Sequence, residues 1–116
     1  MSKAGGISIH GVDVARGMPA KGLRVELHRL SPDAALLAVG TLAGNGALDH
    51  ATVRGDGIIA GEYEVRFHVG AWLKAQGATI GILDVVPFRF TVAAPEQHYH
   101  LPFKFTPWGF SLFRGS

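Results

Sequence analysis

His98-Tyr99-His100-Leu101-Pro102-Phe103-Lys104-Phe105-Thr106-Pro107-Trp108-Gly109-Phe110-Ser111-Leu112-Phe113-Arg114-Gly115-Ser116 is the stretch whose reading decides the fold. Residues 97–105 and 109–114 read as two strands joined by the turn Thr106-Pro107-Trp108-Gly109. Alternate residues of a strand share a face, so His98 and His100 point the same way. Chain ends are usually disordered unless tied down. This one stays aromatic and apolar almost to its last residue, so it is expected to pack, with a partner subunit as a candidate cover.

Working outward, Val85-Val86-Pro87-Phe88-Arg89-Phe90-Thr91-Val92 reads as a strand with proline near its start, where a missing N–H is tolerable. Glu62 to Val69 is a further strand, followed by a single short helix over Ala71–Gln76 that Gly77 stops. Leu23, Val25 and Leu27 alternate with Arg24, Glu26 and His28, which predicts a half-buried strand with the first set inward. Leu36 to Leu42 is another strand candidate, and residues 47–53 are given a short one. Asn45-Gly46 tolerates positive φ and predicts a tight turn. Ile7-Ser8-Ile9-His10-Gly11-Val12 alternates as well, with Ile7 and Ile9 on one face and Ser8 and His10 on the other. The sum is an all-β chain: an antiparallel β-sandwich of seven or eight short strands with one short helix. Residues 1–6 are expected as a flexible lead-in, and 7–116 as the domain.

Composition bounds the rest. The 116 residues suffice for one domain, and 47% hydrophobic content supports a packed globule. With no cysteine, neither a disulfide framework nor a thiolate metal site can form. The formal charge of +2 comes from scattered basic residues, so nucleic acid is not an expected partner. No apolar run approaches the ~20 residues of a membrane span. No signal-peptide pattern is visible at Met1–Gly6, and a cytoplasmic location is expected.

Four parts of the chain carry a family resemblance. His10-Gly11-Val12-Asp13, Gly17-Met18-Pro19-Ala20 and Leu23-Arg24-Val25 resemble the N-terminal signature of the transthyretin-related family. Tyr99-His100-Leu101-Pro102 with Thr106-Pro107-Trp108-Gly109-Phe110-Ser111 resembles its C-terminal signature. Phe113-Arg114-Gly115-Ser116 is similar to the Tyr-Arg-Gly-Ser ending of the enzymatic branch, the 5-hydroxyisourate hydrolases. Gly61 to Gly70, followed by a short helix, fits the middle of the pattern. The resemblance implies a transthyretin-like sandwich assembled as a homotetramer. Its active sites would lie in a channel at the dimer–dimer interface, lined by the C-terminal strand. The implied reaction is hydrolysis of a cyclic ureide bond in a small-molecule substrate, 5-hydroxyisourate, during urate (purine) breakdown, with no cofactor.

His10, His98, His100, Arg114 and Ser116 fall on family motif positions. The resemblance implies that His10 and His100 activate and position water, that Ser116 completes the pocket, and that His98 and Arg114 hold substrate or orient neighbours. The residue types suit this chemistry. Ring-amide hydrolysis requires a base for water and an acid for the departing nitrogen, and histidine, with an ordinary pKa of ~6.5, serves as both. His28 is expected to be solvated, His50 to lie in a loop and His68 to be structural. A three-histidine zinc site at His10, His98 and His100 is a weaker reading that no spacing demands, so no metal is expected.

Three departures from the family pattern stand out. The hydrolases' arginine after the Asn-Gly turn is absent: Ala47 and Leu48 follow Asn45-Gly46. Phe113 replaces the terminal tyrosine. Lys104 occupies a position that is usually aliphatic, and two placements stand open for it. Either it lines the channel and supplies the missing positive charge for substrate binding, or it snorkels to solvent. The alternative function is a non-catalytic, transthyretin-like small-molecule binder.

Overall fold

The computed structural model describes residues 4–115. Eight strands and one helix follow in chain order: β1 (Ile7–Asp13), β2 (Met18–Pro19), β3 (Arg24–Ser31), β4 (Ala35–Thr41), β5 (Gly61–His68), α1 (Val69–Ala75), β6 (Val85–Val92), β7 (Tyr99–Thr106) and β8 (Gly109–Leu112). They form two four-stranded sheets, ordered β2-β1-β7-β8 and β4-β3-β5-β6. All ladders are antiparallel except β1–β7, which is parallel. The expected antiparallel sandwich holds, with this one parallel ladder inside it. Parallel neighbours require a long crossover, and here the crossover is the whole of the second sheet.

The alternation seen in the sequence becomes the core. Ile7 and Ile9 of β1 and Leu101, Phe103 and Phe105 of β7 face Val25, Leu27, Tyr63, Val65 and Phe67 of the other sheet, all of them buried. Phe67 and Phe103 stack across the gap, with ring centroids 3.8 Å apart and planes 9° from parallel. Burying each such side chain stabilises the fold by ~1.5–3 kcal/mol. Only a few residues long, α1 relies on packing to persist. Trp72 supplies it, meeting Phe105 edge-on at 5.7 Å and donating Nε1–H to the Lys21 carbonyl at 2.8 Å.

Two local expectations change. Residues 47–53 do not form a strand. Ala47 makes one isolated bridge to His10, and Ala51–Arg54 is a single 3-10 turn. His50 caps that turn by accepting the Thr52 N–H, and Gly55 ends it at φ 102°, so capping outweighs the strand-like composition. β8 is shorter than expected, ending at Leu112. Opposite its missing continuation lies Pro102, which has no N–H to donate; the pairing resumes in the same register where Gly115 bridges His100. Within the expected lead-in, Gly5 donates to the Pro95 carbonyl at 2.8 Å and Gly6 accepts from Tyr99 N–H at 2.9 Å, so this segment runs beside the approach to β7.

Candidate active site

The parallel ladder decides which side chains meet. In register, Ser8 faces His100, His10 faces Pro102 and Val12 faces Lys104. With Ile7 and Ile9 committed to the core, Ser8 and His10 stand on the outer face of the first sheet beside His100. The ladder runs unbroken through Pro102, so His100, Pro102 and Lys104 keep the parity that alternation predicts.

Ser8, His98, His100, Arg114 and Gly115 line an open cavity of about 700 Å³. Ser8 Oγ lies 2.6 Å from His100 Nδ1 and 2.8 Å from His98 Nε2. His98 Nδ1–H donates to the Gly5 carbonyl at 2.6 Å. His100 Nε2 has no partner among the described residues. Burial, followed by the nearby His10 and His98, lowers the His100 pKa below its ordinary value. The neutral form of its ring is therefore favoured.

Arg114 Nη2 donates to Gln97 Oε1 and to the His98 carbonyl, both at 3.0 Å, and its guanidinium lies 4.1 Å from the Tyr99 ring centroid. Nε and Nη1 have no acceptor among the described residues, so the fork keeps donors for a bound carbonyl or anion. Gly115 explains the glycine of the terminal motif. Its N–H donates to the His100 carbonyl at 2.7 Å, and a Cβ there would lie 2.9 Å from His100 Cδ2. The Gly115 backbone lies directly against the imidazole, which leaves room only for hydrogen.

The sequence-predicted residues divide. His98, His100 and Arg114 come together around the cavity. His10 stands on the same sheet face, outside the cavity lining. Its Nε2–H donates to the Asn45 carbonyl at 2.6 Å, which leaves Nδ1 as the acceptor in the neutral ring. Ser116 lies outside the described residues. Lys104 is not brought to the cavity: it is exposed four residues beyond His100, about 13 Å along an extended strand, with its ammonium 5.7 Å from the Phe113 ring centroid. His28 is corrected from solvated to half-buried, its Nε2 lying 3.1 Å from Glu26 Oε1. No group of three metal-ligating side chains is assembled among the described residues.

Ser8 is the residue that sequence reasoning missed. Its signal was present, since alternation put a hydroxyl on the His10 face, but nothing local showed that β7 lies alongside. The two residues after the Asn45-Gly46 turn, where the resemblance implied an arginine, are placed differently. Leu48 is 5% exposed and belongs to the core, whereas Ala47 is bridged to His10. Bridged residues project to the same side of a sheet, so Ala47 stands where a longer side chain would reach the His10 face.

The two-sheet sandwich is of the transthyretin-like class, and in it imidazoles and a hydroxyl gather on one sheet face. Solved structures share this fold. The chain superposes on Klebsiella pneumoniae 5-hydroxyisourate hydrolase with a TM-score of 0.81 and 29% identity, covering 100% of this chain and 97% of that one. It matches an (S)-allantoin synthase at a TM-score of 0.92 and 34% identity, covering 99% of this chain but only 45% of the other. The chain belongs to the HIUase/Transthyretin family, whose profile matches residues 7–115. Among relatives, it is 38% identical to "5-hydroxyisourate hydrolase 2" of Rhizobium meliloti over the full length of both. It is 42% identical to the 5-hydroxyisourate hydrolase of Mesorhizobium japonicum over 99% of this chain and 97% of that one.

Proposed function

We propose that this protein hydrolyses a cyclic ureide bond, with 5-hydroxyisourate of urate catabolism as substrate. The observation that carries the reading is His100, a ring with a lowered pKa in an open cavity, bonded through Nδ1 and with Nε2 unengaged by any of the described residues. Nε2 takes a proton from water as the water oxygen bonds to the ring carbonyl. The same nitrogen returns the proton to the ring nitrogen as the C–N bond breaks. Arg114 offers its free donors to the substrate's carbonyl edge. His10 acts from the neighbouring strand, and Ser116, outside the described residues, is the further candidate for the site. The full-length hydrolase relatives support this reading.

The same proposal includes a homotetramer with sites at the dimer–dimer interface. The cavity opens on one protomer's sheet face, and the hydrophobic side chains Trp108, Phe110 and Phe113 are 62%, 46% and 49% exposed on the terminal hairpin, suited to cover by another subunit. A cytoplasmic location fits the cysteine-free composition.

The test is decay of freshly generated 5-hydroxyisourate, followed by absorbance, with wild type and His100→Ala side by side. Wild type accelerates decay, and the variant loses ~10²–10⁴-fold in turnover while eluting as the same oligomer. No acceleration by wild type refutes the hydrolase reading and favours the binding protein that Ala47 and Phe113 would suit.

A further inference from the structure

We infer that the Gly5 carbonyl, His98 and Ser8 form a directional hydrogen-bond chain that sets the tautomer of His100 and makes Nε2 its basic nitrogen. The kinetic part of this inference rests on the hydrolase reading; the tautomer part does not.

The direction follows from counting protons. A carbonyl oxygen only accepts, so His98 Nδ1, 2.6 Å from Gly5 O, carries hydrogen. In neutral His98 the other nitrogen, Nε2, is then a lone pair. Ser8 Oγ, 2.8 Å away, must donate its single proton there. Having spent that proton, Ser8 Oγ can only accept at its second contact, so His100 Nδ1, 2.6 Å away, carries hydrogen. His100 Nε2 is left as the lone pair. One backbone oxygen thus determines the protonation of two rings and a hydroxyl. The anchor is itself fixed, because Gly5 N–H is bonded to Pro95 and a Cβ on Gly5 would lie 2.2 Å from the Gln97 backbone.

The chain also works after proton uptake. When Nε2 accepts a proton from water, the charge can stay on His100. It can also move: the Nδ1 proton passes to Ser8 Oγ, and the Ser8 proton passes to His98 Nε2. His98 is then doubly protonated, still bonded to Gly5, and His100 is neutral with hydrogen on Nε2. The reverse shifts restore the start, and only protons travel. The groups facing His100 are His98 before β7, Ser8 and His10 on β1, and Arg114 and the Gly115 backbone after β8, with Lys104 further along β7. No carboxylate lines the cavity among the described residues. With the Arg114 guanidinium at the cavity and no carboxylate in its described lining, a chain that spreads charge over two rings matters more. Ser8 and His98 are in this account positioning residues.

The decisive experiment is nitrogen-15 correlation NMR of the histidine side chains at about pH 8, above the ordinary imidazole range, combined with pH-dependent kinetics. Wild type shows His98 and His100 both protonated at Nδ1. Ser8→Ala leaves the His100 ring as a mixture of tautomers. Its kcat falls about 10- to 100-fold, less than loss of the base itself, with KM within about twofold. The acid limb of its rate profile moves to lower pH, because the lost acceptor favoured the imidazolium. Ser8→Thr, which keeps the hydroxyl, restores tautomer and rate. Hydrogen on Nε2 of His100 in wild type overturns the inference, as does Ser8→Ala that keeps both the tautomer and kcat. If wild type hydrolyses nothing, the hydrolase reading falls while the spectra still decide the chain's direction.

Discussion

Gly115→Ala separates the position of the His100 ring from the stability of the fold. Gly115 does not use positive φ, so alanine is not strained by its backbone. At a compatible site such a change stabilises by ~0.4–1 kcal/mol through the unfolded chain. The new Cβ would lie 2.9 Å from His100 Cδ2 and 3.4 Å from Pro102 Cδ. Ordinary carbon contact begins near ~3.5 Å, so the imidazole must retreat by roughly 0.6 Å. Its Nδ1 is held 2.6 Å from Ser8 Oγ, and a shift of that size stretches this bond toward the limit of useful geometry. The bond contributes ~1 kcal/mol, which the unfolded-state gain largely offsets. The melting temperature therefore stays within ~4 °C of wild type. Rate is less forgiving, because a misplacement of ~1 Å costs on the order of 10²-fold. The expected loss in kcat is about tenfold or more. Stopped-flow decay of 5-hydroxyisourate and thermal unfolding at one protein concentration measure both quantities. A kcat within twofold of wild type would show that the terminal glycine does not set the ring, and this reasoning would fail.

Two further outcomes are expected. Ala47→Arg returns a guanidinium to the position bridged to His10; a charge-assisted bond of ~1.5–3 kcal/mol raises kcat/KM for 5-hydroxyisourate by at least about tenfold, and an unchanged or lower value would mean the site serves another substrate. On the second sheet, Arg89 and then Arg66 hold the Glu64 carboxyl below the usual carboxylate range, with Oε1 2.8 Å from Arg89 Nε. A depressed folded pKa contributes stability above the unfolded value of ~4.3, and that contribution is lost as pH falls through the folded value. Glu64→Gln therefore lowers the urea midpoint at about pH 7 and differs less from wild type at about pH 3; a gap that widens in acid would contradict the assignment.

Much of this molecule is local and was legible as such. Alternation of Leu23, Val25 and Leu27 against Arg24, Glu26 and His28 predicts β3 and its inward face, and all three leucine and valine side chains are fully buried. The span of β6 matches its sequence reading, and Asn45-Gly46 forms its turn with Gly46 at φ 85°. These succeed because side-chain periodicity and turn chemistry depend on a few neighbouring residues. Capping at His50 and Gly55 was also local, but it competed with strand-like composition and won. The family motifs carried His10, His98, His100 and Arg114 as candidates without saying how they meet.

What the tertiary structure alone decided is the parallel pairing of β1 with β7 across some ninety residues of chain. That pairing sets Ser8 between His98 and His100, while the separate bridge of Ala47 to His10 puts Ala47 rather than Leu48 on the His10 face. Strand pairing of this kind is paid for by burial of Ile7, Ile9, Leu101 and Phe103 against the other sheet, a collective energy that no local window contains. The sequence by itself determined which face of each strand carries the chemistry; the packing of the two sheets determined which faces become neighbours.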